Sequence, residues 1–394
     1  MLRNPDYVLS LIVAFALGFV AVLALPVGGP DMHARITMQQ PAGAGGASIH
    51  YKAAISTASN TASARQSAIA SPIARLEDRP APLPELPRSK WSSPSLTKLV
   101  ALAASPFPYH GLVPRTKHQF LNIKKSGREG RRTRSGRVYW ADKTYSDRRA
   151  LLHIPRGFDP AKPAVMVLFF HGHGATLARD VVARQQLPAQ ISDSGMNAIL
   201  VAPQFAVDAR DSSAGNFWKK GGTRRFLDEV AQQLAELQGD PRSREFFANM
   251  PVVIVGYSGG YVPTAWTLAN GGIAERIRGV VLLDGLYGEL GKFVKWIERD
   301  DNAFFLSAYA RSTSKGNATL KRMLARRGVG FATKINAGLT PGSVTFIEAI
   351  KGHRDYVTRA WSANPISDLL RRMTGVASRI DPTLSASLAP SLRQ

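Results

Sequence analysis

The chain of 394 residues contains no cysteine. Disulfides, thiolate zinc sites and cysteine nucleophiles are therefore excluded. The absence fits an oxidising compartment without requiring one. Acidic residues are scarce: 28 Asp and Glu stand against 51 Lys and Arg, a formal net charge of +23. That excess favours contact with anionic surfaces such as phospholipid headgroups or acidic polymers. Its plainer reading is solubility and a basic linker, and no nucleic-acid site is expected. Apolar residues make up 44% of the chain, enough for a sizeable core. There is no internal repeat.

One long apolar run stands out. Residues 8–25 are apolar or small, with Ser10 the one hydroxyl; Arg3 precedes the run, and Pro26, Gly28 and Gly29 follow it. Eighteen residues are just enough to cross a bilayer as a helix. A cleaved signal has a shorter apolar core, so residues 1–29 read as an uncleaved anchor with a signal segment as the alternative. Export of the rest of the chain to an envelope or periplasm-like compartment is the simpler expectation. Residues 30–135 read as a low-complexity, proline-rich and basic linker. Residues 41–46 are P-A-G-A-G-G and 80–87 are proline-rich, and residues 96–103 form a candidate short helix. The dense basic run at 124–137 is expected to be a solvated loop. Its functional reading is adhesion to an anionic membrane or polymer.

From residue 136 to 373 apolar strand patterns alternate with helical ones. Strands are expected at 137–140, 150–154, 165–170, 197–202, 252–255, 277–283, 303–308 and 344–350. Helices are expected at 176–192, kinked or ended by Pro188, and at 223–238, 261–270 and 318–327. Alternation of this kind implies a mostly parallel sheet with helices on both faces. Residues 374–394 read as a C-terminal tail.

The most informative stretch is Pro251 to Gly260, P-V-V-I-V-G-Y-S-G-G. A buried strand ends in Gly256-Tyr257-Ser258-Gly259-Gly260, a G-x-S-x-G pattern with a helix behind it. Small residues on either side allow a sharp strand-to-helix turn with the Ser258 hydroxyl at its apex. A serine nucleophile needs a base, an acid that orients the base, and donors for the oxyanion. Of eight histidines only His353 follows Ser258, just beyond the end of a strand. Among the acids between them, Asp284 ends a strand at the edge where sites are built. Asp300 and Asp301 precede a strand, Glu275 and Glu298 fall on helices, and Glu348 lies within a strand. Asp284 reads either as the triad acid or as a helix N-cap, with Glu289 in reserve. His171-Gly172-His173-Gly174 follows the strand at 165–170. It reads as an oxyanion loop acting through the His173 backbone, with the Gly259 N–H as second donor. A His-x-His metal site is the alternative, disfavoured because Ala175-Thr176 replace a downstream acid and histidine. No metal and no cofactor is expected.

The order His-Gly, G-x-S-x-G, Asp, His on alternating strands and helices resembles the α/β-hydrolase superfamily over about residues 136–373. The resemblance implies Ser258 as nucleophile, His353 as base, Asp284 as acid, and the backbone of His173 and Gly259 as oxyanion hole. It also implies an esterase- or lipase-like serine hydrolase. One departure is visible. The superfamily's commonest acid follows the strand after next from the nucleophile, but here Arg311-Ser312-Thr313-Ser314-Lys315 follows, without a carboxylate. The acid would then come from one strand earlier. The segment 285–301 is short for a lid. Tyr257, Tyr261, Tyr287, Phe217 and Trp218 are candidates to line a cleft, and 208–218 is the candidate specificity loop. An ester is the default substrate. An acyltransferase with the same triad and a non-catalytic envelope-binding protein are the rivals.

Overall fold

The computed structural model describes residues 95–335 and 338–379. The expected anchor at 1–29, the linker up to residue 94 and the tail beyond 379 lie outside the described residues. Among the described residues no helix is long and apolar enough to cross a membrane.

The strands are β1 Leu96–Ala101, β2 Ile123–Lys125, β3 Arg128–Arg132, β4 Val138–Trp140, β5 Arg149–Ile154, β6 Val165–Phe170, β7 Ala198–Pro203, β8 Val252–Tyr257, β9 Ile277–Leu283, β10 Phe304–Tyr309 and β11 Val344–Glu348. The helices are α1 Ala141–Thr144, α2 Leu187–Asp193, α3 Gly222–Gln238, α4 Arg244–Asn249, α5 Tyr261–Asn270, α6 Leu290–Ile297, α7 Ser314–Ala325, α8 Tyr356–Arg359 and α9 Pro365–Arg372. Eight strands form one sheet in the order β1-β5-β7-β6-β8-β9-β10-β11. From β7 to β11 all neighbours are parallel, while β1–β5 and β5–β7 are antiparallel.

The apolar runs of β6 and β8 have no polar face because both faces are covered. Met166, Leu168 and Phe170 enter one core with α3, α5 and α6. Val165, Val167 and Phe169 enter the other with α2 and α9. Burial of each such side chain contributes about 1.5–3 kcal/mol. The chain runs from β6 outward to β7, then crosses back to β8 on the other side of β6. This reversal opens a crevice at the carboxyl ends of β6 and β8, where α/β sheets build their sites.

Four expectations are corrected. Residues 96–103 are not helical. β1 pairs with β5 through six consecutive registers, because the outer edge of β5 needs a hydrogen-bonding partner and this overrides local propensity. The fold therefore begins by residue 95 and not at 136. The basic run at 124–137 is not a bare loop. It supplies β2, β3 and the turn into β4 of a separate antiparallel sheet. Ser126 and Gly127, both with positive φ, make the tight turn between β2 and β3. Ser-Gly is a turn signal in its own right. At the other end, residues 374–379 belong to the fold: Ala377 N–H donates to Pro163 O, and Ala377 O accepts from Asn197 N–H. The expected helix at 176–192 does break near Pro188. A π-helical segment, Leu177–Arg184, ends before Gln186, which has a left-handed backbone, and α2 then starts with Pro188 in its first turn.

Candidate active site

Ser258 stands where β8 turns into α5, with φ of +51°. That backbone costs a non-glycine residue about 1–2 kcal/mol and is kept because the surroundings allow no other path. A Cβ on Gly260 would lie 2.2 Å from the Phe170 carbonyl of β6, and one on Gly256 would lie 2.5 Å from Thr264 Oγ1. The G-x-S-x-G spacing is thus a record of close backbone approach.

The His353 Nε2 lies 2.8 Å from Ser258 Oγ, and its Nδ1 lies 2.5 Å from Asp284 Oδ2. Residues distant in sequence are brought into one hydrogen-bonded line by the loops after β8, β9 and β11. Asp284 is fully buried, and an isolated carboxylate there would be costly. It is instead saturated: Oδ1 accepts from Ala310 N–H at 3.1 Å and from the Thr313 hydroxyl, and Oδ2 accepts from Ser312 Oγ at 2.7 Å. Burial pushes its pKa up, but the hydrogen bonds from His353, Thr313, Ser312 and Ala310 outweigh burial and hold it below the usual carboxylate range. The segment Arg311 to Lys315, which lacks an acid, carries the cradle for one. Sequence reasoning missed Ser312 and Thr313; the hydroxyl run after β10 was the available signal.

The N-cap reading of Asp284 finds no support, since its carboxylate faces His353 and the 310–313 loop. Glu289 pairs with Lys292 and makes no contact with His353.

The loop after β6 passes close over the serine. A Cβ on Gly172 would come within 2.9 Å of Ser258 Cβ. His171 shapes this loop from below. Its Nε2 accepts from Phe205 N–H at 2.9 Å and Gln204 Nε2 at 3.0 Å, so Nδ1 carries the proton and donates to Gly172 O at 2.8 Å. Burial lowers its pKa to about 4, keeping it neutral. With both nitrogens engaged, His171 has none left for a metal, and among the described residues no group of three acidic or histidine side chains could hold one. The His173 ring lies against Gly259, with Nε2 2.5 Å from Ser212 Oγ. Its backbone N–H has no acceptor among the described residues. The Gly259 N–H lies in the first turn leading into α5, where helix geometry leaves donors free.

The expected cleft aromatics separate. Phe217 and Trp218 are core residues, Phe217 packing on Phe170, Phe205 and Phe226. Tyr287 is exposed with its ring steeply inclined to that of His353, and Tyr261 is its half-buried neighbour. Tyr257 is buried beneath His353. Within 208–218, Ser212 reaches His173, so part of the expected specificity loop borders the site.

No family model and no curated protein matches the chain. Among solved structures it is similar to a feruloyl esterase module from Clostridium thermocellum complexed with sinapinate. The identity is 15% over 68% of this chain and 95% of that one, with a TM-score of 0.38. It is also similar to an S-formylglutathione hydrolase from Agrobacterium tumefaciens, at 12% identity over 64% and 97% with a TM-score of 0.36. A third is an IroE-like serine hydrolase from Shewanella oneidensis, at 13% identity over 62% and 78% with a TM-score of 0.34. Likenesses this distant transfer no residue role and no substrate. By its own strand order, its mostly parallel sheet covered on both faces and the elbow at Ser258, the chain has an α/β-hydrolase-like fold.

Proposed function

We propose that the protein is a serine hydrolase that cleaves a carboxylic ester through an acyl-serine intermediate. The observation that carries this reading is the unbroken hydrogen-bonded line from Ser258 Oγ through His353 to Asp284. In this reading Ser258 Oγ attacks the ester carbonyl carbon as its proton passes to His353 Nε2. Asp284 holds Nδ1–H and offsets the charge of the imidazolium. The His173 and Gly259 N–H groups receive the oxyanion. Collapse expels the alcohol, which takes its proton from His353. Water then repeats the sequence and frees the acid and the serine.

The proposal extends to place. The apolar run at 8–25 supports a membrane anchor on an exported chain. The exposed cations of β2–β4 support contact with an anionic surface.

The decisive experiment is labelling with a fluorophosphonate probe, with the modified residue mapped. Labelling at Ser258 with ester turnover is expected, and both should vanish in Ser258→Ala. A folded Ser258→Ala that turns over its ester as fast as the parent would sink the reading. Labelling without hydrolysis, but with transfer to an added alcohol, would identify an acyltransferase. No labelling at all would favour a binding protein on this scaffold.

A further inference from the structure

Tyr257, the last residue of β8, is adjacent to the nucleophile and touches its base. Its ring stacks on the His353 imidazole, centroids 5.2 Å apart and planes 26° from parallel. Its hydroxyl donates to the His353 carbonyl at 3.1 Å. That carbonyl also accepts from the Tyr356 N–H, so the backbone at His353 is held from two sides. Burial pushes the Tyr257 pKa up to about 12, so the hydroxyl stays a donor throughout the neutral range.

We propose that Tyr257 is a positioning residue for His353: its ring sets the plane of the imidazole, and its hydroxyl holds the loop that carries it. The inference rests on the serine-hydrolase reading. Its physical basis is the pleat of the strand. Ser258 turns up into the crevice, whereas Tyr257 points into the second core, where Tyr356 and Val357 follow His353. A cation over an aromatic face is attracted by the ring's quadrupole, and a neutral imidazole much less so. The contact is therefore stronger once Ser258 has given up its proton, which is what a contribution to rate requires.

Other groups also face the imidazole. Asp284 holds Nδ1 from the loop after β9. The Tyr287 ring lies 6.4 Å away between centroids, inclined by 74°. His173 faces it from the loop after β6, its own pKa lowered first by burial. Arg184 lies toward the hydroxyl end of Tyr257, and its charge is engaged by Asp180 at 3.0 Å. Of these, Tyr257 is the one stacked on the ring.

The test uses the full chain in detergent, with ring-labelled histidine followed by NMR at one pH. A Ser258→Ala background isolates the imidazole, and His353→Asn assigns its signal. Tyr257→Met removes the face and should move the His353 ring resonances, which lose the ring current of the stacked tyrosine. Tyr257→Phe keeps the face and should leave those resonances in place. With Ser258 intact, Tyr257→Met should lower kcat on the order of tenfold at nearly constant KM, and Tyr257→Phe by roughly threefold. A Tyr257→Met protein with the parent's His353 resonances, or with a kcat within about twofold of the parent's, overturns the inference. Should Tyr257→Met fail to fold, Tyr257→Phe decides, and a kcat equal to the parent's overturns the inference. A parent without Ser258-dependent turnover would instead defeat the hydrolase reading, while the ring resonances would still report the Tyr257–His353 contact.

Discussion

Asp284 receives hydrogen bonds from three groups besides His353, all on one loop, and this makes it both a buried charge and a rigid one. The saturation predicts two separable effects. Thr313→Val removes one donor to a charged acceptor and should lower stability by about 1.5–3 kcal/mol, read from the urea midpoint. Asp284→Asn places an amide group among donors and leaves the imidazole in the wrong tautomer, so kcat should fall on the order of 10⁴-fold. Glu289 should give no rescue, because Lys292 engages it. A doubly substituted Ser258→Ala/His353→Ala protein should be no slower than Ser258→Ala alone, since the members of the line act as a unit. Additive losses in steady-state turnover would break that assignment.

At the scale of the element, β1 is an edge strand whose hold on β5 includes a buried histidine. His153 Nδ1 lies 2.7 Å from Thr97 Oγ1 on β1, and its Nε2 lies 2.9 Å from Ser192 Oγ. Burial first, then the charge of Arg379, lowers its pKa to about 4. His171, buried under the loop after β6, is likewise lowered to about 4. Both groups refuse protons that the unfolded chain accepts below about pH 6.5. Their stabilising effect is therefore complete above that pH and is lost as pH falls toward 4. At pH 5 the loss should be about 2 kcal/mol per histidine. Asp284, with its lowered pKa, adds acid sensitivity as pH falls through the ordinary aspartate range, mostly below the histidine window. Urea unfolding at pH 7 and pH 5 measures the effect, and His153→Gln should flatten the slope. An unchanged slope would mean that His153 takes up its proton in the folded state.

At the scale of the whole molecule, charge and the apolar run at 8–25 are the two features that bear on location. In the β2–β4 sheet Arg128 is engaged by Asp142 and Arg131 by Asp211, while Lys124, Lys125, Arg132, Arg134 and Arg137 are exposed. The sheet adjoins the site loop, since Tyr139 Oη accepts from Arg210 N–H, two residues before Ser212. The full chain should fractionate with membranes and remain there at 1 M salt, because apolar insertion is not screened. A chain lacking residues 1–29 should still bind vesicles containing phosphatidylglycerol at low salt and be released near 0.5 M, where screening is severe. Binding should be absent on phosphatidylcholine alone. Cosedimentation gives both answers, and full-length protein left in the supernatant with an intact N-terminus would remove the anchor.

Much of this protein is decided locally. The all-apolar runs of β6 and β8 and the glycines around Ser258 follow from steric and hydrophobic constraints within short windows. A window therefore contains enough to propose sheet, elbow and nucleophile, while the base is proposed by elimination, since one histidine alone follows Ser258. The edge strand β1 is illegible in a window because its partner lies some fifty residues away and its own pattern is ambiguous. The basic hairpin is hidden because charge masks the Ser126-Gly127 turn. The rest could be settled only by tertiary structure. Ser312 and Thr313 support Asp284, and Tyr257 lies under His353, because separate loops converge at the carboxyl edge of one sheet. That convergence is set by strand order and crossover direction, and no property of the residues at either end of such a contact encodes it.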